Sequence, residues 1–391
     1  MFKTKNKYFY LIIFMCLCLM INLFSGFNDV KAQENDLTPN SKSSCLMEFE
    51  TGKILCEKDS LTKLPIASVT KLTTLLIVFE KIDKGEIDIE KEITISKNAS
   101  NMGGSQVFLE EGENCKIKNL IKSIIVASAN DSSVALAEEV AGSEKAFCEL
   151  MNKKASELKL ENTHYENCTG LPAPMQYSCA KDVAIIMREV LKHPLYFEFS
   201  KIWMEDFVHS GDRITTMANT NKLIKNYQFC DGGKTGSTNE AGYCLCSTAK
   251  KDDLRLISVV LGSNSSKDRF NETKRQFEYG FNNFNLTKLV DKTLNLSTQT
   301  KLEKAEQSDI LLFAENDYFE VLKRGEQSNL ILKIDLPKTL KAPLKKGDIV
   351  GKIQVTENDL VIDEINILVN NDIDEISYKN ILKTIAEKWL I

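Results

Sequence analysis

A long stretch of helical periodicity, over about residues 117–193, lies between two segments whose patterns are typical of β-strands. Residues 45–56 come before it and alternate around a short turn, as the two strands of a β-hairpin do. Residues 243–249 and 254–261 follow it as apolar, strand-like runs, and a last helix is expected over about 266–284. This order predicts an α+β domain, because strands from both ends of the segment can complete one antiparallel sheet beside the helical region.

Three features predict another helix, which would start at Ser68. Pro65 stands just before it, the Ser68 hydroxyl can cap a helix amino terminus, and apolar residues recur at helical spacing in the run that follows. These apolar residues are Leu72, Leu75, Leu76 and Phe79. We expect the helix to bury this face and to present its first turn.

The composition changes beyond residue 285. Short alternating runs separated by glycine and proline predict a small all-β domain, a sandwich or a barrel, over residues 286–373. Residues 374–391 predict an amphipathic helix with apolar residues on one face and lysines off it. The apolar residues are Tyr378, Ile381, Leu382, Ile385 and Trp389. Such a helix can either bind a membrane surface or dock on its own domain.

Residues 1–32 have the pattern of a signal peptide. Three lysines precede an apolar run over about residues 8–24, and Val30-Lys31-Ala32 places small residues where a signal peptidase reads them. We expect cleavage after Ala32; the alternative is an uncleaved anchor, since the apolar run approaches the length that spans a bilayer. With either outcome the body of the protein is exported, to the extracytoplasmic face of the cell membrane or as a secreted protein.

Charge and histidine content exclude several classes of function. The chain has a formal net charge of −5, and loss of residues 1–32, which hold four lysines and one aspartate, would make it −8. An acidic chain without a basic stripe is a poor binder of nucleic acid. The three histidines lack the spacing of a zinc site, and no phosphate-binding loop or dinucleotide-binding motif occurs. We therefore expect no metal, no cofactor and no nucleic-acid partner.

Nine cysteines follow residue 32. Their number is odd, and they are scattered along a chain that is long enough to bury its own core, so a disulfide scaffold is not expected. We expect most of them to be small buried hydrophobic residues. Cys244 and Cys246 are two residues apart in a strand-like run, so they should share one face of the strand and pack in the core.

Three short motifs carry the chemistry, and the first is Ser68-Val69-Thr70-Lys71. Helical spacing brings the lysine amine within reach of the serine hydroxyl, which needs a base to act as a nucleophile. A neutral amine can be that base if a second cation nearby lowers its pKa. The S-x-x-K pattern occurs five times in the chain, but only Ser68 combines it with a helix start, a preceding proline and an apolar helix face.

The second motif is Ser128-Ala129-Asn130, in a stretch of small residues between two predicted helices. This position suits a hydroxyl and an amide that project into a cleft. The signal is weak, because S-x-N also occurs at Ser96 and because helix capping would explain such residues equally well.

The third motif is Lys234-Thr235-Gly236, the only K-T-G of the chain, which stands immediately before a predicted strand. Lys234 would supply the second cation, and Thr235 could donate a hydrogen bond to a carboxylate. Gly236 would let a substrate backbone approach the strand closely, where unpaired edge groups can hold a peptide as an added strand.

The order and spacing of the three motifs are more specific than any one of them. With their flanking residues they make the chain resemble the serine D-alanyl-D-alanine carboxypeptidases, low-molecular-mass penicillin-binding proteins, and the sporulation-linked branch among them. The segments that look like family signatures are 65–71, 104–109, 127–131, 233–243 and 341–351. The resemblance implies a penicillin-binding/β-lactamase-like transpeptidase fold over residues 33–285, a β-rich domain behind it, and a membrane-associating tail at 374–391.

The resemblance also implies a role for each matching residue. Ser68 would be the nucleophile that attacks the carbonyl between two terminal D-alanines of a peptidoglycan stem pentapeptide, with Lys71 as its general base. Ser128 and Lys234 would pass a proton to the departing D-alanine, and penicillins would acylate the same serine. The residues that would bind substrate are Asn130, Thr235, Gly236, Ser237 and Arg269.

In this scheme the oxyanion would lie between the backbone N–H groups of Ser68 and Ser237. Arg269 would help Thr235 to bind the terminal carboxylate of the substrate. The alternative for Arg269 is an ordinary surface arginine.

Other functions share this scaffold. A class A β-lactamase hydrolyses its acyl-enzyme with a glutamate in an E-x-x-L-N segment, which the chain lacks, and its second motif is S-D-N where this chain has Ser-Ala-Asn. A transpeptidase would pass the acyl group to an amine, an outcome that the motifs leave open. A third alternative is a β-lactam-binding sensor or cell-wall adaptor with negligible turnover, which would not release D-alanine.

Overall fold

The structure, a computed structural model, describes residues 36–297, 300–307 and 309–389. The predicted signal peptide lies outside the described residues. Within these three ranges, no helix is both long enough and apolar enough to cross a membrane.

Strands and helices alternate along residues 43–283. The strands are β1 (Ser43–Glu48), β2 (Ile54–Lys58), β3 (Glu92–Thr94), β4 (Asn114–Lys116), β5 (Met204–Val208), β6 (Ile214–Ala218), β7 (Cys230–Thr238), β8 (Gly242–Lys251) and β9 (Leu254–Ser263). The helices are α1 (Lys71–Asp83), α2 (Lys97–Ser100), α3 (Ile117–Val126), α4 (Asn130–Ala141), α5 (Glu144–Glu157), α6 (Ala180–Val190), α7 (Pro194–Ser200), α8 (Leu223–Asn226) and α9 (Ser266–Asn283).

A five-stranded antiparallel sheet organises this part of the chain, in the order β2-β1-β9-β8-β7. The amino-terminal hairpin pairs with β9, so both ends of the segment do complete one sheet, as the sequence predicts. Strand β7 is an edge strand, and one row of its backbone groups is therefore available for a further strand.

Alternate residues of the strands enter two different cores. Leu46 and Leu256 pack with Phe277 of helix α9 on one face of the sheet. Cys244 and Cys246 lie on the other face, where the helical region packs. Both are fully buried thiols, which confirms the prediction that they share one face and pack in the core.

The helical region begins and ends close to the predicted residues but is interrupted. Helices α3 to α6 lie within the predicted stretch of helical periodicity, whereas residues 158–179 contain no α-helix. The prediction of an all-α region therefore does not hold for residues 158–179, which lie between two of the helices. Side-chain amides satisfy part of the backbone of this irregular segment, as where Asn167 Oδ1 accepts hydrogen bonds from the backbone of Thr169 and Gly170.

Two further boundaries differ from the prediction. A 3-10 turn at Ala67–Thr70 precedes helix α1, so the α-helix begins at Lys71 and the Ser68 side chain does not cap it. Lys234-Thr235-Gly236 lies inside β7 rather than before a strand. The glycines of β7 resemble a turn signal in the sequence, but they are required by close packing, since a Cβ atom at Gly232 would lie 2.8 Å from the Tyr196 ring.

The remainder of the chain forms the expected all-β domain. Its strands are β10 (Phe284–Val290), β11 (Lys301–Glu303), β12 (Leu312–Ala314), β13 (Tyr318–Lys323), β14 (Leu330–Asp335), β15 (Thr339–Lys341), β16 (Ile349–Glu357) and β17 (Leu360–Val369). A four-stranded sheet in the order β12-β17-β16-β14 covers a separate core that includes Leu312, Val355 and Ile367. Helix α10 (Tyr378–Trp389) follows, with Tyr378 and Leu382 exposed.

Candidate active site

Ser68 and Lys71 lie against each other at the start of helix α1. Lys71 Nζ is 2.9 Å from Ser68 Oγ, and it donates a hydrogen bond of 2.6 Å to the carbonyl oxygen of Thr169. The Lys71 side chain is fully buried, whereas Ser68 is partly exposed. A hydroxyl that a ligand can reach is therefore held beside a fixed amine.

Burial changes the protonation of this amine. It lowers the pKa of Lys71 from 10.5 to about 7, although the nearby Cys168 and Asp131 oppose the shift. The sequence-based hypothesis assigns this shift to a second cation, whereas in the structure the cause of the lower pKa is burial. Near neutral pH a large fraction of Lys71 is neutral and able to accept a proton.

Lys234 and Ser128 form a second amine and hydroxyl pair. Lys234 Nζ donates a hydrogen bond of 2.7 Å to Ser128 Oγ and one of 3.0 Å to the carbonyl of Thr235. Burial lowers the pKa of Lys234 well below its ordinary value, and the neighbouring Lys71 and Arg269 lower it further. The two buried amines therefore disfavour each other's protonated form.

Ser128 lies in the turn between helices α3 and α4, and Asn130 is the first residue of α4. Ser128 has a positive φ of 63°, which is uncommon for a residue with a side chain and orients its hydroxyl toward Lys234. Asn130 Nδ2 donates to the carbonyl of Gly103 over 2.6 Å. Asn130 Oδ1 is buried without a hydrogen-bond partner in the described part of the chain, so it can accept a hydrogen bond from a ligand amide.

The structure distinguishes the motif residues from their chance matches. Ser96 caps helix α2 by accepting a hydrogen bond from Ala99 N, as the capping alternative predicts for S-x-N. In the other S-x-x-K matches, each serine hydroxyl bonds to a different residue. These pairs are Ser60 with Glu57, Ser156 with Asn152, Ser178 with Thr163, and Ser247 with Gly232.

Two glycines approach the turn that carries Ser68. A Cβ atom at Gly236 of β7 would lie 2.5 Å from the carbonyl oxygen of Ile66 and 3.1 Å from Ser68 N. A Cβ atom at Gly170, where φ is +87°, would lie 2.0 Å from the carbonyl oxygen of Ala67. The turn is thus fixed between β7 and the segment that contains Thr169.

We expect Gly170→Ala to impair both folding and acylation. The new methyl group would collide with the backbone at Ala67, so the free energy of unfolding should fall by about 3 kcal/mol and penicillin acylation by at least about tenfold. Gly112→Ala is the matched control, because Gly112 also has a positive φ but has nothing within 4 Å of its added Cβ. The control should lose about 1 kcal/mol and keep its acylation rate. Equal acylation rates in the two variants would contradict this role for Gly170.

Three of the residues expected to bind substrate, Thr235, Gly236 and Ser237, lie on the edge strand β7. Thr235 and Gly236 are buried, and Ser237 is exposed opposite Tyr243 on β8. Arg269 is only 9% exposed, so it is not the ordinary surface arginine that was the alternative. Its Nη1 donates to the carbonyls of Gly236 over 3.0 Å and Cys244 over 3.2 Å.

Sequence reasoning missed three residues of the site. The carbonyl of Thr169 orients Lys71, and Gly170 gives the close approach described above. Asp131 accepts hydrogen bonds of 3.1 Å from the backbone N–H groups of Val107 and Leu109, and so joins their segment to the second motif. The only sequence signal for the first two was the short polar run Asn167-Cys168-Thr169-Gly170, which resembles an ordinary turn.

In the ranges that the structure describes, no group of three or more His, Cys, Asp or Glu side chains could hold a metal ion. The chemistry that these residues can perform is attack by a serine, with lysines and a second serine to move protons.

Comparisons with known proteins agree with this geometry. Residues 29–265 match the family described as D-alanyl-D-alanine carboxypeptidase, and residues 284–375 match the carboxy-terminal domain of penicillin-binding protein 5. The chain is 36% identical to D-alanyl-D-alanine carboxypeptidase DacF of Bacillus subtilis over 356 residues, which cover 91% of each protein.

Solved structures give the same result. Penicillin-binding protein 5 of Haemophilus influenzae is 31% identical with a TM-score of 0.69, and the match covers 86% of this chain and 98% of that one. A mutant of the Streptomyces K15 DD-transpeptidase is 26% identical with a TM-score of 0.59, over 62% of this chain and 98% of that one. The chain therefore belongs to the D-alanyl-D-alanine carboxypeptidase family, and it is a serine peptidase with the fold of the penicillin-binding proteins.

Proposed function

We propose that the protein removes the terminal D-alanine from peptidoglycan stem pentapeptides with Ser68 as nucleophile and Lys71 as general base. The observation that carries this proposal is the 2.9 Å contact between the Ser68 hydroxyl and a buried amine whose pKa is about 7. Neutral Lys71 takes the Ser68 proton while Oγ bonds to the carbonyl carbon of the D-Ala-D-Ala bond. Penicillins acylate the same oxygen.

The remaining site residues complete the reaction. The tetrahedral oxyanion is stabilised by the backbone N–H groups of Ser68 and Ser237. The proton that Lys71 took from Ser68 is relayed through Lys234 and Ser128 to the nitrogen of the departing D-alanine, so the C–N bond breaks and the acyl group stays on Ser68 as an ester. Water then hydrolyses that ester and regenerates the serine.

Substrate binding uses the edge of β7. The peptide lies along this edge as an added strand, where Asn130 Oδ1 accepts a hydrogen bond from a peptide amide. Thr235 binds the terminal carboxylate. Arg269 donates a hydrogen bond to the carbonyl of Gly236, and its positive charge favours a carboxylate in this region.

Acylation should depend on pH through Lys71. Only the neutral amine accepts the serine proton, so the second-order rate of penicillin acylation should rise with pH and level off above a midpoint near 7. The rate would be measured between about pH 5.5 and 8.5, a range that covers about 1.5 pH units on either side of that midpoint. A rate that falls as pH rises through 7 would contradict the assignment of Lys71 as the base.

Hydrolysis and acyl transfer are separated by an acceptor experiment. The purified protein is incubated with a pentapeptide that ends in D-Ala-D-Ala, with and without an added amine such as glycine, and free D-alanine and the shortened peptide are measured. A carboxypeptidase yields equal amounts of D-alanine and tetrapeptide. A transpeptidase would yield the amine adduct instead, and a sensor would be acylated by penicillin without D-alanine release.

We also propose that the protein is exported and that helix α10 associates with a membrane surface. Exposed apolar side chains at Tyr378 and Leu382, 76% and 51% exposed, support the second part. The sequence pattern of residues 1–32 supports the first part. The membrane surface then keeps the active site close to newly made peptidoglycan.

Membrane association can be tested on α10 itself. Tyr378→Ser with Leu382→Ser should lower co-sedimentation with phospholipid vesicles several-fold, because apolar burial drives interfacial binding. Leu360→Ser with Val361→Ser is the matched control, since both residues are exposed apolar positions on the all-β domain. Equal co-sedimentation of the two double variants would contradict the proposal.

A further inference from the structure

Two adjoining cavities run between helix α9 and residues 222–229. Their volumes are about 520 and 550 Å³, and they share Asn226 and Lys274 in their walls. We call the pair the lysine groove, because five lysines and a single acidic residue, Glu278, line it. The lysines are Lys222, Lys225, Lys251, Lys267 and Lys274.

The charge of this groove is opposite to that of the protein as a whole. The chain has a net charge of −5, so a surface with five lysines and one glutamate concentrates positive potential. Lys274 is partly neutralised by Glu278 at 3.5 Å. Lys222 and Lys267 are exposed and have no ion-pair partner among the residues that the structure describes. Their charges are available to a ligand.

The walls present lysine ammonium groups. Arginine is absent from these walls as described, and lysine is a common binder of phosphate, which it contacts as a point charge. Asn226, Asn271 and Ser266 add amide and hydroxyl groups that can bond to hydroxyl-bearing repeats. Because the two cavities adjoin, they suit a polymer better than a single small ion.

We propose that the lysine groove binds a linear phosphodiester polymer with polyol or sugar repeats. The groove adjoins the substrate edge of β7, because Ser266 in its wall accepts a hydrogen bond of 3.4 Å from Arg269, which also donates to the Gly236 carbonyl. Such a polymer would hold the enzyme beside stem peptides on an anionic cell wall. This binding site goes beyond peptide hydrolysis and does not depend on the roles assigned to Ser68 and Lys71.

The test uses the full chain and a fluorescent poly(glycerol phosphate) of defined length. The groove variant is Lys222→Gln with Lys225→Gln and Lys267→Gln, and Lys267→Gln alone is a milder variant. The control changes the same charge elsewhere in the catalytic domain, at Lys84, Lys97 and Lys145, each to Gln. Release of D-alanine from a soluble pentapeptide is measured on every preparation.

We expect the triple groove variant to bind the polymer at least about tenfold more weakly than the parent in 0.1 M salt. The slope of log K against log salt concentration should fall by about 0.7 for each lysine that contacts a phosphate. The control variant should bind like the parent, and all variants should release D-alanine from the soluble peptide at the parent rate.

Equal binding by the groove and control variants would overturn the proposal. So would a parent that does not bind the polymer, or one that binds only carboxylate-bearing stem peptides or anionic vesicles. A parent without D-alanine release that still binds the polymer through these lysines would contradict the proposed hydrolysis and leave the groove proposal standing.

Discussion

Ser68→Ala abolishes covalent labelling by penicillin and lowers D-alanine release by about 10⁴-fold or more. Removal of a nucleophile leaves only binding and electrostatic stabilisation to assist the reaction, and losses of at least this size follow in serine hydrolases. Labelling would be measured with a fluorescent penicillin after denaturing electrophoresis, and D-alanine by a coupled oxidase assay.

Ser156→Ala is the matched control for this variant. Ser156 also begins an S-x-x-K match, but its hydroxyl bonds to the backbone carbonyl of Asn152. The control should label and turn over like the parent. A labelled Ser68→Ala protein, or one that keeps more than about one per cent of the parent rate, would contradict the assignment of Ser68 as the nucleophile.

Lys71→Met should lower the rate of acylation by about 10³-fold, the size expected when a general base is removed. Methionine fills a similar volume but cannot accept the serine proton. The pH dependence with a midpoint near 7 should disappear along with the rate. A variant that acylates within a few-fold of the parent would contradict the role of Lys71.

The same variant has a stability readout that tests the effect of burial on the Lys71 amine. The folded-state pKa of Lys71, about 7, is below its ordinary value of 10.5, so the unfolded chain binds more protons between these two values. Stability of the parent therefore rises with pH in this window, relative to Lys71→Met, by about 1.4 kcal/mol per pH unit. Urea unfolding of both proteins at pH 7.5 and 8.5 measures the difference. A difference that does not change with pH would contradict the burial effect.

The sequence predicted much of this site because its chemistry is local along the chain. Ser68 and Lys71 are three residues apart, and helical geometry alone brings their side chains together. Ser128 and Lys234 are 106 residues apart, and no periodicity in the chain joins them. Their pairing followed from resemblance to a family, and the structure places the two side chains in contact.

The features that the sequence did not predict depend on backbone segments that come close to each other only in the folded chain. Thr169 acts through its carbonyl, so the identity of its side chain carries little signal. Strand β7 contains Gly232 and Gly233, and glycine has a low β-propensity. These positions need glycine because neighbouring atoms lie too close for a Cβ atom, and an apolar pattern does not mark the strand. The S-x-x-K motif likewise does not show that Lys71 is buried, although this burial sets the pKa of the base.

The lysine groove is another feature that the sequence pattern did not predict. No basic stripe was found in the sequence, because the groove takes its lysines from separate segments around residues 222–225, 251 and 267–274. Only the fold brings these residues to one surface. An acidic net charge therefore does not exclude a local surface that binds polyanions.

The most direct test of the central claim is to trap the acyl-enzyme formed with the peptide itself. The protein is mixed with a pentapeptide that ends in D-Ala-D-Ala, quenched in acid within milliseconds to seconds, and digested for mass spectrometry. The account predicts that the mass of the pentapeptide minus D-alanine is carried on the fragment that contains Ser68. D-alanine release with the adduct on another residue, or with no adduct during a pre-steady-state burst, would contradict it.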